Sequence, residues 1–265
     1  VVTVAVVGLV EAGVIGFPAA IGAVLGANVG TTATAQLMAF STGALGWLGV
    51  GLGIALLAAG RPKARAAGQA LLGLGLVFLG LETLGTAFGR EELPAWLPGW
   101  LSQVAEGPVE GVLAGTVFTG LIQSSTLFIG LVMSLAAQNL IGLAGAVHLV
   151  LGGNIGSCLP GVLAGAASGR AGFWAGLVNL GFNVAGVAAV LPFVGPLAGA
   201  LASTGGSLPR QVANAHALFN LVTALAALPL AGPVGRWLER GIAGPTENRT
   251  RSGSSGATRS WSGRR

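Results

Sequence analysis

The chain is composed mostly of apolar stretches, interrupted at intervals by short polar strings. Residues 45–59, 70–88, 171–191 and 212–231 form apolar runs long enough, as helices, to cross all or most of a bilayer. Residues 111–122, 127–136 and 141–151 form shorter apolar segments. Ten helical residues rise ~15 Å, about half the hydrocarbon core. The short segments therefore read as half-helices or re-entrant hairpins, and the pattern predicts an all-α, polytopic membrane protein.

The pattern also repeats. Gly26-Ala27-Asn28-Val29-Gly30-Thr31-Thr32 is echoed by Gly152-Gly153-Asn154-Ile155-Gly156-Ser157-Cys158 at an offset of 152 − 26 = 126 residues. At the same offset, without gaps, Val6 meets Val132, Leu9 meets Leu135, Ile15 meets Ile141, Gly16 meets Gly142 and Ala20 meets Ala146. After each Asn-Gly string the order is alike: a short segment (31–40; 157–167), a longer span (45–59; 171–191) and a closing span (70–88; 212–231). The reading divides the chain into a first transport repeat (1–89), a linker (90–110), a second repeat (111–240) and a tail (241–265).

Charge sets the expected orientation. Arg61, Lys63 and Arg65 share one loop, which the positive-inside rule places in the cytoplasm. The linker carries Arg90, Glu91, Glu92, Glu106 and Glu110 with Trp96 and Trp100, and reads as an extracellular or periplasmic loop at an interfacial belt. Arg170 and the tail, with Arg236, Arg240, Arg249 and Arg251, belong inside, which places loop 195–210 outside. Equivalent loops then fall on opposite faces. That is an inverted-topology repeat, an architecture of many secondary transporters.

Composition strengthens this picture. The chain is 53% hydrophobic and 8% charged, against ~25% charged in a soluble domain. Its 47 glycines suit membrane helices packed backbone to backbone. The pI of about 11.3 would fit a nucleic-acid binder, but 5 of the 13 basic residues sit in the tail after Gly244 and most others punctuate apolar segments. A single cysteine, Cys158, excludes an internal disulfide. The stretch 245–265 is rich in Ser, Gly and Arg and is expected to be disordered. The chain opens within an apolar segment, Val1-Val2-Thr3-Val4, with no charged leader before it, so an upstream portion is expected.

Three polar groupings carry the chemistry. Gln123-Ser124-Ser125-Thr126 breaks an apolar stretch between two half-length segments. Irregular backbone at membrane depth is tolerated only where it is buried in protein or lines a cavity. Hydroxyls, an amide oxygen and freed carbonyls are hard ligands suited to sodium, and Gln123, Ser124 and Ser125 are its candidate ligands. Hydroxyls can also donate to an anion. Asn28, Thr31 and Thr32, with Asn154 and Ser157, repeat this chemistry. Their bracketing glycines permit turns, and the hydroxyls could cap half-helices whose N-termini attract anions. Asn179, Phe182, Asn183 and Gly186 share one helical face, as do His216, Phe219, Asn220 and Thr223. Asn183, His216 and Asn220 read as structural polar residues that join helices, and His148 as a packing or interfacial residue.

Gln123-Ser124-Ser125, the doubled Gly-x-Asn-x-Gly-hydroxyl string and Ala213-Asn214-Ala215-His216-Ala217-Leu218-Phe219-Asn220 together resemble the type II sodium/phosphate cotransporter family in its bacterial form, over about residues 1–240. The resemblance implies an inverted repeat with a Gln-Ser-Ser hairpin in each half and sodium-driven phosphate import at the repeat interface. It places the protein in a bacterial plasma membrane, as a multi-pass symporter and not an enzyme, with no cofactor beyond sodium as coupling ion. Its partners would be phosphate, sodium and lipid, with no nucleic acid and with homodimerisation left open. The chain departs from the family in several places. The partners of 123–126 fall before Val1, Ser157-Cys158 stands where the family usually shows two threonines, Pro160 follows, and there is no aspartate to build a further sodium site.

Two other readings compete. A carrier of another small oxyanion, or a membrane module needing a partner subunit, fits the same residues. An intramembrane hydrolase using Ser124 or Ser125 with His148 or His216 lacks an aspartate and a Gly-x-Ser-x-Gly elbow.

Overall fold

The computed structural model describes residues 2–39, 43–87, 94 and 96–242. All regular structure among them is helical: α1 Val2–Glu11, α2 Phe17–Met38, α3 Gly43–Ala58, α4 Pro62–Ala87, α5 Trp96–Glu106, α6 Pro108–Ile122, α7 Ser125–Ala137, α8 Leu143–Gly156, α9 Leu159–Ser168, α10 Arg170–Val190, α11 Val194–Ser203 and α12 Leu208–Ile242, with a 3₁₀ turn at Leu191–Phe193. Among the described residues, three helical stretches are long and apolar enough to cross a membrane: Leu143–Ser168, Arg170–Ser203 and Leu208–Ile242. The surfaces of α12 and of the shorter helix α3 agree with a lipid solvent. Leu218, Leu221, Val222, Leu225, Leu228 and Leu230 on α12 are all exposed, as are Leu45, Trp47, Leu48, Leu52 and Ile54 on α3. Contiguous apolar surface of this kind marks an interaction or membrane face.

Local sequence explains the breaks. Gly16 and Gly142 precede α2 and α8 with nearly the same backbone, φ −80°, ψ 164° and φ −77°, ψ 170°, and they lie 142 − 16 = 126 residues apart. Pro108 starts α6, where its missing N–H costs nothing. Gly169, at φ +147°, separates α9 from α10 in a conformation open to glycine.

Two expected irregular segments are helical. The linker holds α5 over Trp96–Glu106, because Leu97, Leu101 and Ala105 form one face that enters the core while Trp96 stays exposed. Loop 195–210 contains most of α11, which seats Val194, Ala198 and Leu201. Of the linker charges, Arg90, Glu91 and Glu92 lie outside the described residues, as does the tail from 243 on.

The core has several parts. Phe128, Leu131 and Leu135 of α7 pack with Leu101 of α5, Leu149 of α8 and Val212 of α12. Val6, Val7 and Val10 of α1 pack with Phe17 and Val24 of α2, Ala175 of α10 and Leu238 of α12. Val112, Val147, Leu151, Val187, Val194 and Phe219 form a third cluster. α6 and α8 meet backbone to backbone. A Cβ on Gly115 would strike the Leu149 carbonyl oxygen, one on Gly152 the Val112 carbonyl oxygen, and one on Gly156 the Thr116 carbonyl oxygen. The Thr116 hydroxyl crosses the seam to the Gly152 carbonyl at 3.1 Å. This backbone-to-backbone contact sets the α6–α7 junction beside the end of α8.

Candidate functional site

Between these clusters lies a cavity of about 240 Å³, walled by α1, α2, the α6–α7 junction, α8, α9 and α12. It brings together Asn28, Thr31, Gln123, Ser125, Asn154, Ser157 and His216. The wall pairs across the repeat. Thr3 and Ile129, Ala27 and Gly153, Asn28 and Asn154, and Thr31 and Ser157 all line it, each pair 126 positions apart.

The α6–α7 junction is built by three backbone conformations. Gln123 closes α6 in the left-handed region, φ 56° and ψ 22°, and its N–H donates to the Thr119 carbonyl at 2.8 Å. For a residue with a Cβ this conformation costs ~1–2 kcal/mol. Ser124 is extended and caps α7: its hydroxyl oxygen accepts from the Leu127 N–H at 3.3 Å. Ser125 is then the first residue of α7, and the positive end of that helix meets the cavity. Ser124 and Thr126 are half-buried and do not line the cavity.

The two Asn-Gly strings differ from expectation and from each other. Asn28 through Thr32 lie inside the unbroken helix α2. Gly26, Gly30, Gly152 and Gly156 are helical and make no turn. The hydroxyls do not cap either. Thr31 donates to the Asn28 carbonyl and Thr32 to the Val29 carbonyl, both at 2.7 Å, and Thr32 stands off the cavity. In the second half the helix does break, after Gly156, and α9 resumes at Leu159. Pro160 explains the difference, since proline cannot supply the helical N–H and restarts a helix well. The residue 126 positions earlier is Thr34, which allows α2 to continue.

These local bonds decide what the wall offers. Ser157 donates to the Asn154 carbonyl at 2.7 Å, and Asn154 Nδ2 donates to the Val150 carbonyl at 2.9 Å. Asn28 Nδ2 donates to Asn179 Oδ1 at 3.4 Å. Thr31 and Ser157 have thus turned their only hydroxyl hydrogens into the protein, and Asn28 and Asn154 one N–H each, which leaves oxygen lone pairs for the cavity. Gln123, Ser125 and the first turn of α7 supply donors. Among the described residues, no Lys, Arg or Glu lines the wall.

The other polar residues sort by partner. Asn183 Nδ2 bonds within its own helix, to the Asn179 carbonyl at 2.9 Å and to Asn179 Oδ1 at 3.1 Å, and it is Asn179 Oδ1, accepting from Asn28 Nδ2, that links α10 to α2. Asn220 does not join helices: its Nδ2 bonds the His216 carbonyl of its own helix at 2.9 Å, the usual i−4 alternative for a short amide. His148 Nδ1 is 2.9 Å from the Ala105 carbonyl, which ties α8 to α5. His216 is buried on the cavity wall, and its Nδ1 has no hydrogen-bond partner among the described residues. Thr3 and Asn179 belong to this neighbourhood and were not singled out as site residues. The repeat offset from Ile129 and the Asn179–Asn183 helical spacing were the signals for them.

Comparison with known proteins follows the same lines. The family described as Na+/Pi-cotransporter matches residues 1–86 and 94–229. The chain is 34% identical over 225 residues to "Uncharacterized protein YqeW" of Bacillus subtilis, covering 85% of this chain and 73% of that protein. It is 32% identical over 221 residues to "Putative inorganic phosphate export protein YjbB" of Salmonella typhimurium, covering 82% of this chain and 40% of that one. The Escherichia coli K12 protein of the same name is 31% identical over 218 residues, 81% of this chain and 40% of its own length. The chain thus spans well under half of the phosphate-export relatives. No solved structure matches the chain.

Proposed function

The chain belongs to the Na+/Pi-cotransporter family, and on that premise we propose that it is a sodium-coupled carrier of inorganic phosphate acting at the uncharged cavity. The observation that carries this reading is the wall itself, where repeat-equivalent positions of both halves meet around one polar space. An inverted-topology repeat with a re-entrant α6–α7 hairpin would place such a site near mid-membrane, at the repeat interface.

The division of hydrogen bonds suggests how two ions share the cavity. The lone pairs of Thr31, Ser157, Asn28 and Asn154 suit a small hard cation. Gln123, Ser125 and the α7 N-terminus offer donors and positive potential to an oxyanion. The amide and hydroxyl oxygens of Gln123 and Ser125 also face the cation, whereas the Ser124 hydroxyl is committed to its cap. With no cationic side chain among the described residues of the wall, bound sodium supplies the charge that a phosphate needs.

A symporter driven by an inward sodium gradient imports phosphate. The relatives' printed names favour export as the second reading. Uptake and efflux of labelled phosphate in proteoliposomes, under sodium gradients of either sign, separate the two. Sulfate and arsenate competition tests the wider class of oxyanion carrier. Labelling by a serine-directed probe would favour the hydrolase reading instead.

A further inference from the structure

We propose that His216 is the residue by which this cavity recognises the hydroxyl of a protonated oxyanion, favouring hydrogen phosphate over sulfate. The inference rests on the carrier reading above and adds a basis for selectivity to it.

Three observations converge on His216. It is only 2% exposed, yet it lines the cavity. Its Nδ1 is buried without a hydrogen-bond partner among the described residues. Buried polar atoms are almost always paired, and an unpaired one is costly. His148 shows the ordinary solution in the same protein, with Nδ1 held 2.9 Å from a backbone carbonyl. The rest of the wall supplies the third observation. Thr31 and Ser157 have spent their hydroxyl hydrogens on protein carbonyls, and Asn28 and Asn154 have each given one N–H to a protein acceptor, so this side of the cavity is rich in lone pairs.

An anion without hydrogens meets those hydroxyl and imidazole lone pairs badly, lone pair against lone pair. Hydrogen phosphate carries an O–H that can donate, while sulfate near neutral pH carries none. A neutral imidazole has one accepting nitrogen, and turning the ring about its Cβ–Cγ bond sets which nitrogen meets the cavity. Charge does not make this discrimination, because both anions carry two charges and no ionic side chain among the described residues lines the wall. A site built to pair a ligand hydroxyl rejects the analogue that lacks it, since its own polar group is then left unpaired.

The test uses the purified chain in detergent with sodium present, and titrates phosphate, sulfate and monofluorophosphate at pH 8. Monofluorophosphate keeps the tetrahedral shape and the double charge without the hydroxyl hydrogen. Wild type should bind phosphate roughly ten-fold or more tighter than either analogue. His216→Leu should lose that preference by weakening phosphate alone, and His216→Gln, which keeps an acceptor, should retain part of it. Equal wild-type affinity for phosphate and monofluorophosphate overturns the proposal without any variant. So does a folded His216→Leu with the wild-type preference intact. Wild type that binds no phosphate sinks the carrier reading and this inference together, whereas a lost or unchanged preference bears on His216 alone.

Discussion

Gly152→Ala tests whether the α6–α8 seam sets the site. The added methyl would lie against the Val112 carbonyl oxygen and 2.8 Å from Thr116 N, both of them backbone atoms. Neither is the end of a flexible side chain, so the helices themselves must separate. Restoring ordinary contact at ~3.4 Å or more requires a displacement on the order of 1 Å, and overpacking of this kind costs ~1–3 kcal/mol. The intrinsic gain from replacing a helical glycine by alanine is ~1 kcal/mol and offsets part of it. Gly181→Ala supplies the control: Gly181 sits within α10 and an added Cβ would meet nothing within 4 Å. The control should therefore keep the gain without the clash. Thermal unfolding in detergent should rank Gly181→Ala above wild type and Gly152→Ala below it, with the gap between the variants ~1–3 kcal/mol. Phosphate affinity should fall in Gly152→Ala, because the seam joins the helix that ends at Gln123 to the helix that carries Asn154, both on the cavity wall, and should hold in Gly181→Ala. Equal stability and equal affinity of the two variants would refute the seam argument.

Other consequences are as direct. The Glu239 carboxylate accepts from the Phe17 N–H at 3.2 Å at the start of α2, so Glu239→Gln should lose ~1–2 kcal/mol of charge-assisted and helix-dipole stabilisation, read as a lower unfolding midpoint. Ser125→Ala removes a hydroxyl from the cavity wall and should weaken apparent phosphate and sodium affinity together, by about ten-fold. Ser203→Ala, whose hydroxyl bonds the Ala200 carbonyl on the exposed face of α11, should change neither, as equilibrium binding would show. Cysteines placed at Lys63 and at Glu106, both exposed, should be labelled by an impermeant reagent from opposite faces of the membrane, and labelling from one face would remove the inverted-repeat argument.

The sequence made the helical membrane architecture legible because apolar runs and scarce charge leave few alternatives. The break at Gln123–Ser125 was legible for the same reason, since four polar residues in an apolar stretch need partners. The repeat offset carried further than its motifs, and it pairs Thr3 with Ile129 and Ala27 with Gly153 on the cavity wall. The glycines misled. Beside Asn28 and Asn154 they suggested turns, but around Asn154 they serve helix contact, a choice made by a partner helix far away in sequence. Pro160, already conspicuous, marks the one place where the string does break. The buried face of α5 was obscured by the charges and tryptophans around it, although Leu97, Leu101 and Ala105 follow helical spacing. The hydrogen-bond direction of each Asn, Ser and Thr depends on neighbouring carbonyls, and composition does not encode it.

The central claim is that phosphate and sodium occupy one cavity and support each other's binding. Two unit charges ~4 Å apart attract by about 4 kcal/mol at an effective dielectric near 20, and linkage makes the effect reciprocal. Phosphate binding measured across a sodium titration, with choline as the replacing cation, reads this coupling. The account predicts phosphate affinity rising roughly ten-fold or more as sodium replaces choline, with an equal rise in sodium affinity when phosphate is held saturating. Phosphate affinity that stays constant across the titration would contradict it.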